Sequence, residues 1–122
     1  MSNPFQVVGG NPIDESEQNK AFDLNTRCAN LISSAPIMLF MKGTPDMPQC
    51  GFSANVVKIL NHVGVSFNTF NILSDMDIRD GIKQYSNWPT YPQLYVKGQL
   101  VGGNDIITEM MNSGELEGVL KL

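Results

Sequence analysis

One cysteine stands in a setting that favours chemistry at its sulfur atom. Cys50 lies in the segment KGTPDMPQCGFS, after a loop with two prolines and before a predicted helix. The free N–H groups at the start of a helix carry about half a positive charge, which stabilises a thiolate. A cysteine at position 53 would complete the Cys-x-x-Cys pattern of thiol–disulfide enzymes, but that residue is Ser53. Cys50 is therefore a candidate nucleophile, redox centre or metal ligand that acts without a neighbouring thiol.

The two cysteines of the chain differ in their surroundings. The ordinary role of a lone cysteine is that of a small buried hydrophobe. That role is predicted for Cys28, because it lies on one apolar stripe of a predicted helix with Leu24 and Leu31. Cys50 has a polar, proline-flanked approach instead, and Gly51 beside it allows another molecule's backbone to come close to the sulfur. An active role is favoured for Cys50 and a core role for Cys28.

A pair of cations is predicted on one helical face. Arg79 and Lys83 are four residues apart on a short predicted helix that begins near Ser74 and Asp75. The chain has only 8 basic residues, so two on one face suggest a clamp for an anion. The alternative is a solvated helix face with Asp75 or Asp80 as counter-ions.

Two further candidate positions lie at the ends of predicted elements. Lys42 ends a predicted strand, at the sheet edge where α/β proteins place ligands; it is otherwise an ordinary strand-end lysine. Asn104 is a predicted N-cap, and the free N–H groups after it can hold a carboxylate. Asp105 could take an ammonium group. The alternative for both residues is that they only cap the helix.

The elements that must position these residues alternate along the chain. Apolar runs, periodicities and turn signals predict the order α-β-α-β-α-β-β-α. A strand–helix–strand unit implies a right-handed crossover between parallel strands, and a hairpin around Lys97-Gly98 adds two more strands. The helix after Cys50 is predicted to end at Gly64 and to bury Phe52 in the core. The predicted fold class is α/β, with a mixed sheet flanked by helices.

Composition excludes several other classes of protein. The 122 residues fit one domain, with residues 1–14 expected to form a flexible tail and 15–122 the folded unit. A net charge of −4 without a basic cluster argues against nucleic-acid binding. The longest apolar run, Ile37 to Met41, is far too short to span a membrane. Two cysteines in a chain of this size fit a reducing compartment, so a cytoplasmic location is expected.

Three segments together resemble a known family. MKGTPDMPQCGFS, SNWPTYPQLYVKGQLVGG and DIITEM are similar to the monothiol glutaredoxins of the Cys-Gly-Phe-Ser class, from about Pro36 to Leu122. The resemblance implies the thioredoxin fold with a four-stranded mixed sheet. It also implies a cis peptide bond before Pro92, which would turn the backbone of Tyr91 toward the site; Pro89 is a second candidate for a cis bond.

The resemblance further implies that glutathione is bound. Glutathione has two carboxylates and one ammonium. The resemblance implies that it contacts Lys42, Arg79, Tyr91, Pro92, Asn104 and Asp105, with Lys83 and Gly103 close by. One position departs from the family, because Asn104 stands where Cys or Ser is common. Backbone donation should survive this change, whereas a side-chain role at 104 is in question.

A single thiol limits what the site can do. A dithiol enzyme resolves a mixed disulfide with its second cysteine, which Ser53 cannot do. The resemblance implies instead a [2Fe–2S] cluster bridging a homodimer, ligated by two Cys50 thiolates and two glutathione thiols, and passed on in cluster assembly and iron homeostasis. BolA-like proteins and apo iron–sulfur proteins are the implied partners. Two rivals stay open: a glutathione-dependent oxidoreductase that deglutathionylates protein thiols through Cys50, at most weakly active, and an interaction module with an idle cysteine.

Overall fold

The first eight helices and strands follow the predicted order, and a short further helix, α5, comes after them. The computed structural model describes residues 15–121, with side chains from residue 22 onward. Within that range the elements are α1 Glu15–Ile32, β1 Ile37–Met41, α2 Gly51–Val63, β2 Asn68–Asn71, α3 Met76–Ser86, β3 Gln93–Val96, β4 Gln99–Gly102, α4 Asn104–Ser113 and α5 Leu116–Leu120. The expected tail, residues 1–14, lies outside the described residues. None of the described helices is long and apolar enough to cross a membrane.

The four strands form one mixed sheet in the order β2-β1-β3-β4. β1 and β2 are parallel, with Phe40 opposite Phe70, which confirms the predicted crossover through α2. β3 runs antiparallel to both β1 and β4. The turn between β3 and β4 has positive φ at Lys97 (52°) and Gly98 (79°), the backbone that a two-residue hairpin turn requires.

Both faces of the sheet are covered by helices. β1 is buried along its whole length, as expected for a strand packed on two sides. Residues 37, 39 and 41 of this strand pack with α2, α4 and α5 in a first core, which we call the α2-side core. Residues 38 and 40 pack with α1 and α3 in a second, the α1-side core. Cys28 is fully buried in the α1-side core, as predicted.

Local signals determine where the helices begin and end. Gly64 (φ 88°) ends α2, and its N–H donates to the Leu60 carbonyl at 3.0 Å. Asp75 is the N-cap of α3, and its carboxylate accepts the Ile78 N–H at 3.1 Å. This cap fixes where α3 begins, and therefore which of its residues, including Arg79 and Lys83, share one face.

Candidate functional site

A cavity of about 490 Å³, called the groove below, lies at one edge of the sheet. β1 and β4 end at this edge and β3 begins there, because β3 runs opposite to both neighbours. The beginnings of α2 and α4 and one face of α3 complete its walls. Every candidate site residue lines the groove: Lys42, Cys50, Arg79, Lys83, Tyr91, Pro92, Gly103, Asn104 and Asp105. The fold thus collects in one place side chains that are widely separated in the sequence.

Cys50 is the N-cap of α2, with extended backbone (φ −155°, ψ 137°). The backbone N–H of Ser53, in the first turn of α2, is the main reason that the pKa of the Cys50 thiol lies below its ordinary value. The Phe52 N–H, the Lys42 charge and the Ser53 hydroxyl act in the same direction, whereas partial burial opposes them. The first turn of the helix therefore favours a thiolate in the groove, as the sequence predicted.

Ser53 has a structural role that its position in the motif does not reveal. Its side chain is fully buried, and its hydroxyl oxygen accepts the Lys42 N–H at 3.1 Å. This bond ties the end of β1 to the first turn of α2. The other thiol of the chain, Cys28, lies in the α1-side core beyond the sheet, and burial raises its pKa. Cys50 is therefore the only one of the two thiols that lines the groove.

The loop from Lys42 to Cys50 is held at both ends. The Gln49 N–H donates to the Lys42 carbonyl at 2.8 Å, and the Gly43 N–H donates to Asn71 Oδ1 at 2.9 Å. Gly43 has φ 91°, and a Cβ there would lie 2.5 Å from the Met47 carbonyl oxygen, so only glycine fits. Met47 at the tip is 69% exposed. The Cys50 sulfur thus follows a loop whose conformation is fixed by hydrogen bonds.

The cationic wall is formed by α3. Arg79 and Lys83 both line the groove, as their spacing predicted. Asp75, one of the alternative counter-ions, instead forms an ion pair with Arg27 at 2.7 Å. Among residues 22–121, neither Arg79 nor Lys83 has an acidic side chain within ion-pair distance. Two unneutralised cations on one wall favour an anionic ligand.

The loop before β3 joins this wall. The Tyr91–Pro92 peptide bond is cis, as the resemblance implied for Pro92 rather than Pro89. The Tyr91 ring is buried, and its hydroxyl donates to the Arg79 carbonyl oxygen at 2.6 Å. Burial raises the pKa of Tyr91, so the hydroxyl stays a donor. The tyrosine therefore connects the proline loop to the helix that carries the cations.

The third wall, at the beginning of α4, corrects one prediction. Asn104 is not the N-cap: Gly103 takes that place, and its carbonyl accepts the Ile107 N–H at 3.0 Å. Asn104 is the first residue of the helix, and its side chain is free for another contact. Its Oδ1 accepts a hydrogen bond from Asn55 Nδ2 at 2.7 Å. Sequence reasoning missed Asn55, because no local pattern connects the two residues.

Apolar side chains at the mouth of the groove correct another prediction. Phe52 does not enter the core; it is 61% exposed and lines the groove beside Cys50. The fully buried residue in the first turn of α2 is Ser53, so the core-facing side of the helix passes through position 53 and not 52. Ile106 and Trp88 also line the groove, and the buried indole nitrogen of Trp88 has no partner among the described residues. The only indication in the sequence that Phe52 lies at the site is its place in the Cys-Gly-Phe-Ser element, two residues after Cys50.

The groove combines a reactive sulfur, cations, a helix N-terminus and a carboxylate. Such a set can bind a small zwitterion with a thiol. In the part of the chain that the structure describes, no three His, Cys, Asp or Glu side chains are grouped to hold a metal ion. Within residues 22–121, Cys50 therefore has no such group beside it to complete a metal site.

Comparison with known sequences agrees with this geometry. The sequence model of the glutaredoxin family matches residues 37–101. The chain is 61% identical over 97 residues to a monothiol glutaredoxin of Oryza sativa subsp. japonica, an alignment that covers 80% of the chain and 20% of that protein. It is 52% identical over 100 residues to an uncharacterized monothiol glutaredoxin of Synechocystis sp., covering 82% of the chain and 94% of that protein.

Solved structures share the fold. A solution structure of a reduced apo glutaredoxin from poplar matches with TM-score 0.68 and 48% identity, over 78% of this chain and 87% of that one. A buckwheat glutaredoxin–glutathione complex matches with TM-score 0.73 over 84% and 92% of the two chains. At 23% identity this second likeness concerns the fold alone.

The chain belongs to the glutaredoxin family, and its fold is the thioredoxin fold that the sequence predicted. Within that family it is a monothiol glutaredoxin, with Ser53 in place of a second cysteine. Length varies among its relatives: the chain spans 20% of the Oryza sativa protein and 33% of glutaredoxin 3 from Danio rerio.

Proposed function

We propose that the groove binds glutathione, and that two copies of the chain carry a [2Fe–2S] cluster between them and pass it to apo iron–sulfur proteins. Glutathione has two carboxylates, one ammonium and one thiol. Lys42, Arg79 and Lys83 offer cations for the carboxylates, and the N–H groups at the beginning of α4 offer donors. Asp105 offers a carboxylate for the ammonium. Glutathione is the ligand of the buckwheat protein that shares this fold.

The observation that carries the cluster proposal is that one thiol stands alone in the groove. Internal resolution of a mixed disulfide needs a second thiolate within reach of the first. Ser53 is a buried hydroxyl already bonded to Lys42, and Cys28 lies beyond the sheet. A site that activates Cys50 but provides no resolving thiol is poorly suited to rapid disulfide reduction. It is well suited to hold a soft metal centre.

The donor set of the groove fits half of a cluster. A [2Fe–2S] cluster takes four cysteine-type ligands. One chain offers the Cys50 thiolate, and a bound glutathione would add a second thiol, so two copies with two glutathiones complete the set. Because half of these ligands belong to an exchangeable tripeptide, the cluster would be labile, which a carrier requires.

The proposal extends to partners and location. Phe52 at the groove and Met47 at the tip of the loop before Cys50 are both exposed, which supports contact with other proteins at the site of transfer. We include BolA-like proteins and apo iron–sulfur proteins as the partners. A cytoplasmic location belongs to the proposal as well, supported by two free cysteines that are maintained best in a reducing compartment.

Anaerobic reconstitution tests the proposal. The chain, with iron, sulfide and glutathione, should give a coloured species that elutes as a dimer and loses its colour when glutathione is removed. Cys50→Ser should bind no stoichiometric cluster, whereas Cys28→Ser, which changes only the buried thiol, should bind as much as the wild type. A cluster retained by Cys50→Ser would show that the ligand assignment is wrong.

The lowered pKa of Cys50 also suits an oxidoreductase that deglutathionylates protein thiols, our second candidate function. A turnover assay with a glutathionylated peptide separates the two. Rapid turnover by the Cys28→Ser variant, together with failure to assemble a cluster, would favour the oxidoreductase. Slow turnover with cluster assembly and transfer would favour the carrier.

A further inference from the structure

We infer that Asn55 is a positioning residue that orients the Asp105 carboxylate through Asn104. Asn55 lies on α2, the helix that begins after Cys50, and faces the first turns of α4. Its amide nitrogen donates to Asn104 Oδ1 at 2.7 Å and to Thr108 Oγ1 at 3.1 Å. Asn104 Nδ2 in turn donates to Asp105 Oδ1 at 3.3 Å. The two helices that border the groove are thereby linked by a relay of side-chain amides.

The relay determines which end of the Asn104 amide faces Asp105. A carboxamide has one accepting end and one donating end. The short bond from Asn55 engages the oxygen, so the NH₂ group is the end turned toward the carboxylate. Without Asn55 the amide could flip and bring its oxygen against Asp105, which is unfavourable. Among the described residues, Asn104 is the side chain that donates to this exposed carboxylate.

This relay is a property of the residues of this chain. A cysteine or serine at position 104 would have no amide to link α2 with Asp105. The two partners are 49 positions apart, on helices that meet only in the folded state. Asn55 does not line the groove itself, although it lines a neighbouring depression with Asn104 and Asp105. Its link to the groove is its hydrogen bond to Asn104.

The consequence is selectivity for the ammonium group. This inference rests on the proposed function, in which Asp105 pairs with the ammonium of glutathione. A carboxylate fixed in one orientation loses less freedom when it pairs with a cation than one that rotates freely. Asn55 should therefore strengthen binding of glutathione but not of an analogue whose γ-glutamyl ammonium is replaced by hydrogen.

Calorimetric titration of the reduced chain with both ligands tests this inference. The wild type should prefer glutathione to the deaminated analogue. Asn55→Ala should weaken glutathione binding by about 3- to 10-fold, the range expected for one hydrogen bond, and leave binding of the analogue unchanged. Alanine is the strongest helix former, so α2 should persist. Thr108→Val, the matched control, removes the other acceptor of Asn55 and should keep the wild-type preference.

A double-mutant cycle excludes a merely structural role. Asn104→Ala alone should reduce the preference, and Asn55→Ala in that background should reduce it no further. Three results would overturn the inference while glutathione binding itself stands. The effects of the two substitutions could be additive, Asn55→Ala could weaken binding of both ligands equally, or Asn55→Ala could leave the preference for glutathione intact. A wild type that binds neither ligand would overturn the proposed function, and the inference with it.

Discussion

Replacing Ser53 with alanine removes one oxygen atom that two parts of the site use. That oxygen accepts the Lys42 N–H at 3.1 Å, and the hydroxyl also helps to stabilise the Cys50 thiolate. The side chain is fully buried, so water cannot easily replace it. The substitution should therefore change both the stability of the chain and the ionisation of its reactive thiol.

The expected loss in the free energy of unfolding comes from the Lys42 N–H, which would have no hydrogen-bond acceptor. A buried N–H left without a partner costs about 1–3 kcal/mol, and since this site is only partly buried on the Lys42 side, we expect a loss of about 1–2 kcal/mol. The pKa of Cys50 should rise slightly, because the Ser53 hydroxyl no longer helps to stabilise the thiolate. It should remain below that of a free cysteine, because the Ser53 and Phe52 N–H groups are unchanged.

Two measurements check this prediction. Urea denaturation gives the free energy of unfolding, and thiolate absorbance followed against pH gives the pKa of Cys50 in a Cys28→Ser background. Ser33→Ala is a suitable control, since its exposed hydroxyl only donates to the Ala29 carbonyl; it should change stability by no more than about 0.5 kcal/mol. If Ser53→Ala leaves both quantities unchanged, the hydroxyl does not connect β1 to the thiolate as we describe.

Two further substitutions test the walls of the groove. Tyr91→Phe removes the 2.6 Å bond to the Arg79 carbonyl and should cost about 1 kcal/mol near neutral pH. Because burial raises the pKa of Tyr91, its protonated form stabilises the fold, and this contribution is lost as the pH rises above the ordinary tyrosine value of about 10. Denaturation over an alkaline pH series should therefore show a shallower decline for Tyr91→Phe; an identical decline would contradict the assignment. Gly43→Ala should cost about 1–3 kcal/mol more than Gly64→Ala, since both have positive φ but only Gly43 would place a Cβ 2.5 Å from a backbone oxygen. Equal losses in urea denaturation would indicate that the loop can move.

Much of the fold could be predicted because its signals are local. The turn at Lys97-Gly98 and the end of α2 at Gly64 each follow from a few adjacent residues. The cationic wall was predictable for the same reason, because Arg79 and Lys83 are separated by one helical turn. The cis bond at Pro92 was not local in this sense, and its prediction came from family resemblance alone.

The errors arose where tertiary position overrides a local pattern. Phe52 continues the apolar spacing of α2, but Ser53 occupies the buried side of the first turn, so the ring meets the groove instead of the core. Asn104 has the chemistry of an N-cap, yet it is the first residue of the helix and Gly103 is the N-cap. Asn55 could not have been found from sequence, because its partner is 49 residues away.

The groove is built from segments that are distant in the sequence, so a molecule bound in it stabilises the whole fold. Its walls come from residues 42 to 106, so no short fragment of the chain contains it. A molecule that fills it binds only the folded form, and at a hundred times its dissociation constant it adds about 2.7 kcal/mol to the free energy of unfolding. If that molecule is depleted, the unfolded form becomes more populated and proteases cleave the chain more often. The concentration of the bound molecule would then affect the lifetime of the protein as well as the occupancy of the groove.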